Sequence, residues 1–181
     1  RLVDGIGNTR GALKGGQGSA SIVTADGFTI AALACVNAFG STTMPGSRVF
    51  WAHPFEIDGE FGGVRPDGAQ PFDLEDWGGA KANPAPRANT TIACVAVDAD
   101  LTPAECKRVA QMASAGLARA IRPVFAPFDG DVVFALATAA KPTAEPRALA
   151  VASFGALAAD CLARAVARGE RVAILGRIGS G

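Results

Sequence analysis

Two nearly continuous apolar runs constrain this chain most. Residues 90–97 read T-T-I-A-C-V-A-V and residues 131–139 read D-V-V-F-A-L-A-T-A. Runs of this kind, rich in β-branched residues and without polar alternation, suit strands covered on both faces. Each is followed by a helical pattern. Thr102-Pro103-Ala104-Glu105 is a capping box with proline at the first helical position. The helix it opens runs to about Arg122, puts Val109, Met112, Ala113, Gly116, Leu117 and Ala120 on one face, and is stopped by Pro123. Residues 147–168 read as a second, Ala-rich helix that Gly169 ends, with the last dozen residues as a tail.

Upstream, residues 20–24 and 28–36 are apolar runs separated by Ala25-Asp26-Gly27, a hairpin signal. Residues 1–19 are Gly-rich, with too little periodicity for a helix or a full strand. Residues 38–88 hold both tryptophans and a loose acidic group, and read as a long surface excursion of a kind that is often functional. The order is hairpin, long loop, then strand, helix, strand, helix. That order gives an α/β (α+β) arrangement in one domain spanning 1–181.

Composition narrows the function. Lys+Arg and Asp+Glu are 17 each, so the bulk basic footprint of a nucleic-acid binder is absent. No run of ~18 strongly apolar residues suggests a membrane span. Cys35, Cys94, Cys106 and Cys161 form no C-x-x-C pair and lie in apolar contexts, so they read as packing thiols of a reducing, cytoplasmic compartment and not as zinc ligands. His53 is the single histidine; it lies in a Pro-flanked stretch and reads as a loop residue, not a general base. Gly5-x-Gly7-x-x-x-Gly11 misses the dinucleotide spacing and lacks the lysine of a phosphate loop. No metal or cofactor is expected.

A hydrolase without a usable histidine needs another base. Thr90, at a strand start, is by itself a good strand former. If the chain is cut before it, Thr90 carries both a hydroxyl nucleophile and a free α-amine. The amine's reference pKa of roughly 7.7–8.0 lets it serve as base for its own hydroxyl. Asp129-Gly130-Asp131 places two carboxylates at the mouth of a strand; taken alone, it reads as turn chemistry.

The stretch N-T-T-I-A-C-V-A-V-D-A-D-L-T-P-A-E-C, the run P-F-D-G-D-V-V-F-A-L-A-T, the segment D-G-I-G-N-T-R-G-A-L-K-G-G-Q-G-S-A-S and C-V-N resemble, in that family's order, the DmpA-type family. It comprises L-aminopeptidase/D-amino-acid esterases, β-aminopeptidases and nylon-oligomer hydrolases. The resemblance implies an αββα sandwich like that of the N-terminal nucleophile hydrolases and a precursor that cleaves itself. It makes Asn89–Thr90 the scissile bond and Thr90 the nucleophile. Asn37 matches the oxyanion-hole asparagine, Lys14 the lysine near the nucleophile, and Asp129 and Asp131 the acidic pair. Thr90 and the acidic pair lean toward the nylon-oligomer branch. The chain then corresponds to the C-terminal portion of a precursor, with 1–89 ending the larger product and 90–181 forming the smaller. Its expected partners are a small peptide or amide substrate, an N-terminal segment of its own precursor and further copies of itself. The rival readings are an inactive structural or binding homologue, or an acyltransferase on a related self-cleaving fold.

Overall fold

The computed structural model describes residues 15–68, 73, 75–81 and 89–178. The four strands are β1 (Gly16–Val23), β2 (Thr29–Asn37), β3 (Thr90–Ala99) and β4 (Val132–Lys141); the helices are α1 (Pro103–Ala120) and α2 (Arg147–Ile178). The sheet order is β1-β2-β3-β4. β1/β2 and β2/β3 are antiparallel, and β3/β4 are parallel, with α1 as the crossover that parallel strands require.

The capping box forms as its residues dictate. Thr102 Oγ1 accepts from the Glu105 N–H at 3.3 Å, and Glu105 Oε2 accepts from the Thr102 N–H at 2.8 Å. Arg147 Nη2 sits 2.7 Å from the same Oε2, tying the starts of the two helices together. Both helices cover one face of the sheet. Ile30, Ala34, Val95, Val97, Val109, Leu117, Leu162 and Val166 are essentially inaccessible there. The opposite face is open: Leu33, Ile92, Phe134 and Leu136 are 44%, 52%, 57% and 45% exposed. The described residues thus form one sheet layer and one helix layer. The two apolar runs are covered on one face instead of two.

Four expectations need correction. β1 begins at Gly16, inside the Gly-rich segment read as having too little periodicity for a full strand. Gly169 does not end α2, which continues to Ile178. The reason is one close approach: a Cβ on Gly18 would lie 2.2 Å from the Ala165 carbonyl oxygen, and one on Gly169 would lie 2.9 Å from the Gly18 nitrogen. These glycines let β1 and α2 touch backbone to backbone, so neither is a breaker. The excursion after β2 is not confined to the surface, since Val49, Phe50, Ala52 and Phe61 are buried in the core. Its Glu60 pairs with Arg164 of α2 at 2.6 Å, an arginine only 8% exposed. Within α2, Arg147–Val172 is long and apolar enough by composition to cross a membrane, contrary to the sequence reading, but 61% of its most apolar window is buried inside the molecule. That burial fits a core helix.

Candidate active site

β2 and β3 bring the first two predicted residues together. Asn37 and Thr90 are direct partners at the end of the antiparallel ladder. Opposed residues project to the same face, here the open one, together with Cys35 and Ile92. An open cleft of about 610 Å³ lies over them, lined by Gly16, Gln17, Cys35, Asn37, Thr90 and Ile92 among others.

The bond before Thr90 is held from several sides. Asn89 is 1% exposed and bridges Asp129 in parallel fashion. The Gly130 N–H donates to the Asn89 carbonyl oxygen at 3.1 Å. The Thr90 hydroxyl donates to that same oxygen. The nucleophile candidate therefore rests on the carbonyl it would have to attack, and a backbone N–H polarises that carbonyl from another direction. Gly130 is required for this fit: a Cβ there would lie 2.7 Å from Thr90 Oγ1.

The acidic pair closes the site. Asp131, one residue before β4, accepts from the Thr91 N–H at 2.7 Å and from the Phe125 N–H at 3.2 Å. It thereby pins the residue that follows Thr90. Asp129 Oδ2 accepts from the Phe39 N–H at 3.1 Å, while its Oδ1 is buried without a donor among the described residues. Burial first, then the facing Asp131 carboxylate, push the Asp129 pKa up.

Asn37 Oδ1 accepts from Lys81 Nζ at 2.5 Å. Burial lowers the Lys81 pKa, and the charges of Glu170 and Asp129 oppose that shift. Glu170, on α2, is 4% exposed, and its Oε2 has no hydrogen-bond partner among the described residues. Burial raises its pKa to about 7, against the pull of Lys81.

Of the residues read from sequence, Asn37, Asn89, Thr90, Asp129 and Asp131 converge on one end of the sheet. Lys14 lies outside the described residues. His53 begins a short 3-10 turn, His53–Phe55, and lines neither this cleft nor the small cavity beside Asn37. All four cysteines are free; Cys161 is buried in the core as expected, whereas Cys35 is exposed on the open face. Among the described residues no group of His, Cys, Asp and Glu could hold a metal ion. Sequence reading missed Gly130 as a donor, Lys81 and Glu170. Gly130 was visible as the spacer between two aspartates, but backbone donors leave no side-chain signal. Glu170 fell in the stretch taken for a tail.

Comparison with known proteins bears on family and fold. The model of peptidase family S58 matches residues 4–175. A Mycobacterium tuberculosis protein named as an uncharacterized aminopeptidase is 44% identical over 171 residues, covering 88% of this chain and 48% of the relative. The chain thus spans about half the length of the curated relatives it matches. Among solved structures, a Burkholderia sp. beta-aminopeptidase superposes with a TM-score of 0.55 at 26% identity, over 91% of this chain and 45% of that one. An L-aminopeptidase D-Ala-esterase/amidase from Ochrobactrum anthropi, described as a variant of the N-terminal nucleophile hydrolase fold, gives 0.53 at 21% identity, over 87% of this chain and 40% of its own. The latter likeness bears on the fold alone.

Proposed function

The chain belongs to peptidase family S58, and on that premise we propose that it forms the catalytic portion of a self-processing amide hydrolase whose nucleophile, Thr90, is released by a cut between Asn89 and Thr90. The observation that carries this reading is the pair of donors on one oxygen: the Thr90 hydroxyl and the Gly130 N–H both meet the Asn89 carbonyl. In the uncut chain, a turn of the Thr90 side chain brings Oγ1 onto the carbonyl carbon. The C–O bond forms, the C–N bond breaks, and the hydroxyl proton passes to the departing amine. The resulting ester is hydrolysed by water, which leaves residues 1–89 with a carboxyl end and Thr90 with a free α-amine.

In turnover the same hydroxyl attacks an amide substrate, with its own α-amine as base. Asn37, opposite Thr90, supplies an N–H to the developing oxyanion; loss of one such donor typically costs ~10²–10³ in rate. Asp131 holds the Thr91 N–H and so fixes the new chain end. Carboxylates near the α-ammonium hold it in place and raise its pKa. Substrates are peptides or linear amides. Threonine as nucleophile, together with Asp129 and Asp131, supports oligomers of ω-amino acids within that class. The open sheet face bearing Leu33, Ile92 and Phe134 is the surface on which an N-terminal segment of the same precursor would pack.

The test is expression of the full gene product, N-terminal sequencing of its smaller band and assay on α-, β- and ω-aminoacyl amides. The smaller chain is expected to begin T-T-I-A-C. An active preparation that shows a single uncut band overturns the reading.

A further inference from the structure

Asn37 stands between two spaces. On one side is the open cleft it shares with Thr90. On the other is a small, partly open cavity of about 10 Å³ that it shares with Ser41, Lys81 and Glu170. The Lys81 ammonium reaches Asn37 Oδ1 across that second space at 2.5 Å. An ammonium carries donors only, so it can face the oxygen of the amide and never its NH₂. The contact therefore removes the two-fold ambiguity that an amide otherwise has.

Lys81 is itself anchored. Its N–H donates to the Phe39 carbonyl at 2.8 Å, and the Phe39 N–H donates in turn to Asp129 Oδ2. Phe39 also packs edge-on against Phe128 and Trp77, with ring centroids 4.7 and 6.1 Å away. The strap that delivers the ammonium is thus tied to the turn that carries the acidic pair. Across the same cavity lies Glu170, almost fully buried, with one oxygen unpartnered among the described residues. Lys81 is only part-buried, and its charge and that of the buried Glu170 each oppose the shift that burial imposes on the other.

We propose that Lys81, which shares the small cavity beside Asn37 with the buried Glu170, is a positioning residue that fixes the Asn37 amide so that its N–H serves the carbonyl bound over Thr90. This rests on the reading of Thr90 and Asn37 above. Lys81 touches no substrate; it acts through Asn37. Arginine offers the same donors-only cation and should substitute for it in part.

The experiment measures kcat and KM on the full gene product, per mole of released smaller chain, for Asn37→Ala, Lys81→Met, Lys81→Arg and the double variant Asn37→Ala/Lys81→Met. Asn37→Ala is expected to lower kcat by ~10²–10³-fold. Lys81→Met should lower kcat by roughly 10–100-fold with KM near wild type, because orientation of the donor is lost and the donor is kept. Lys81→Arg should recover most of that loss. In the Asn37→Ala background, Lys81→Met should cost less than about twofold, since the two act as one unit. Losses that multiply, a change confined to KM, or a Lys81→Met enzyme as fast as wild type each overturn the proposal while leaving the nucleophile assignment standing. A wild-type rate in Asn37→Ala refutes the site reading itself.

Discussion

Gly130→Ala puts a methyl group against the proposed nucleophile without straining the backbone. Gly130 lies outside the left-handed region and is exposed, so alanine suits its conformation and disturbs no core. Elsewhere such a change is worth ~0.4–1 kcal/mol of added stability through the unfolded chain. Here the new Cβ would lie 2.7 Å from Thr90 Oγ1 and 3.6 Å from both Thr90 Cγ2 and the Asn89 oxygen. Ordinary contact begins near 3.4 Å, so the hydroxyl must retreat by about 0.7 Å. Threonine is stiff about its first side-chain torsion, and a 30° departure costs ~0.5–1.5 kcal/mol, which the fold can absorb. Catalysis cannot absorb it as easily, because a misplacement of about 1 Å costs ~10²-fold. Self-cleavage should therefore slow by ~10–100-fold while the melting temperature stays within a few degrees of wild type. Pulsed expression followed by a denaturing-gel time course reads the first quantity, and a thermal melt the second. If Gly130→Ala is cut at the wild-type rate, the contact between residue 130 and the Thr90 hydroxyl has no part in the chemistry, and the argument from the shared Asn89 oxygen falls with it.

Thr90→Ala should abolish both the cut and turnover, and Thr90→Ser should retain both; substrate turnover by Thr90→Ala would remove Thr90 as nucleophile. Asp129→Asn should leave the fold intact or slightly more stable at neutral pH, because a neutral amide can accept from Phe39 and donate to Asp131, yet it should lose turnover by orders of magnitude; a melt beside an activity assay checks both. Asp131→Asn should instead destabilise by ~1–3 kcal/mol, measured by denaturant titration, because two backbone donors, of Thr91 and Phe125, compete for its one remaining acceptor. Glu170 has its pKa raised from 4.5 to about 7, so between those values the folded state holds a proton that the unfolded chain has released. Stability should then fall as pH rises through that window, by about 3 kcal/mol in all, and Glu170→Gln should flatten the fall. A pH series of unfolding curves that is equally steep in both proteins would exclude Glu170 as its source.

The parts legible in the sequence were those written in side chains. The Thr102–Glu105 box, the apolar face of α1 and the run that becomes β3 each announce themselves locally, and α1 ends within two residues of the expected place. Asn37, Thr90, Asp129 and Asp131 were named because a resemblance assigned them; composition alone left Thr90 a strand former and the aspartates a turn. Sequence reading failed where one element's meaning depends on another. Gly169 has the look of a helix stop until Gly18 is seen against it. The segment after β2 is polar on average, and the few apolar residues that matter, Phe50, Ala52 and Phe61, reach the core only through its path over the helices. Lys81 acquires significance from Asn37, 44 residues away in sequence. Backbone donors such as the Gly130 N–H have no compositional trace at all.

Thr90 is the first residue of β3, and its neighbours on both sides in the sheet come from different stretches of chain: β2 from before the proposed cut, β4 from after it. A break at that point leaves the whole register from Asn37 opposite Thr90 to Ile30 opposite Val97 untouched. What changes is the order of the reaction by which the sheet can be rebuilt. Before the cut, β2 and β3 meet as parts of one molecule, at an effective concentration set by the intervening tether, of the order of mM for short flexible linkers. Afterwards they are separate polypeptides that must find each other by diffusion. The mature protein's persistence is then governed by how slowly it comes apart. Chemically denatured and diluted, it should recover in proportion to its concentration, whereas an uncut Thr90→Ala chain should recover independently of it. A cut at Thr90 would thus trade a fold that can be re-formed from any dilution for one assembled while the halves were still joined.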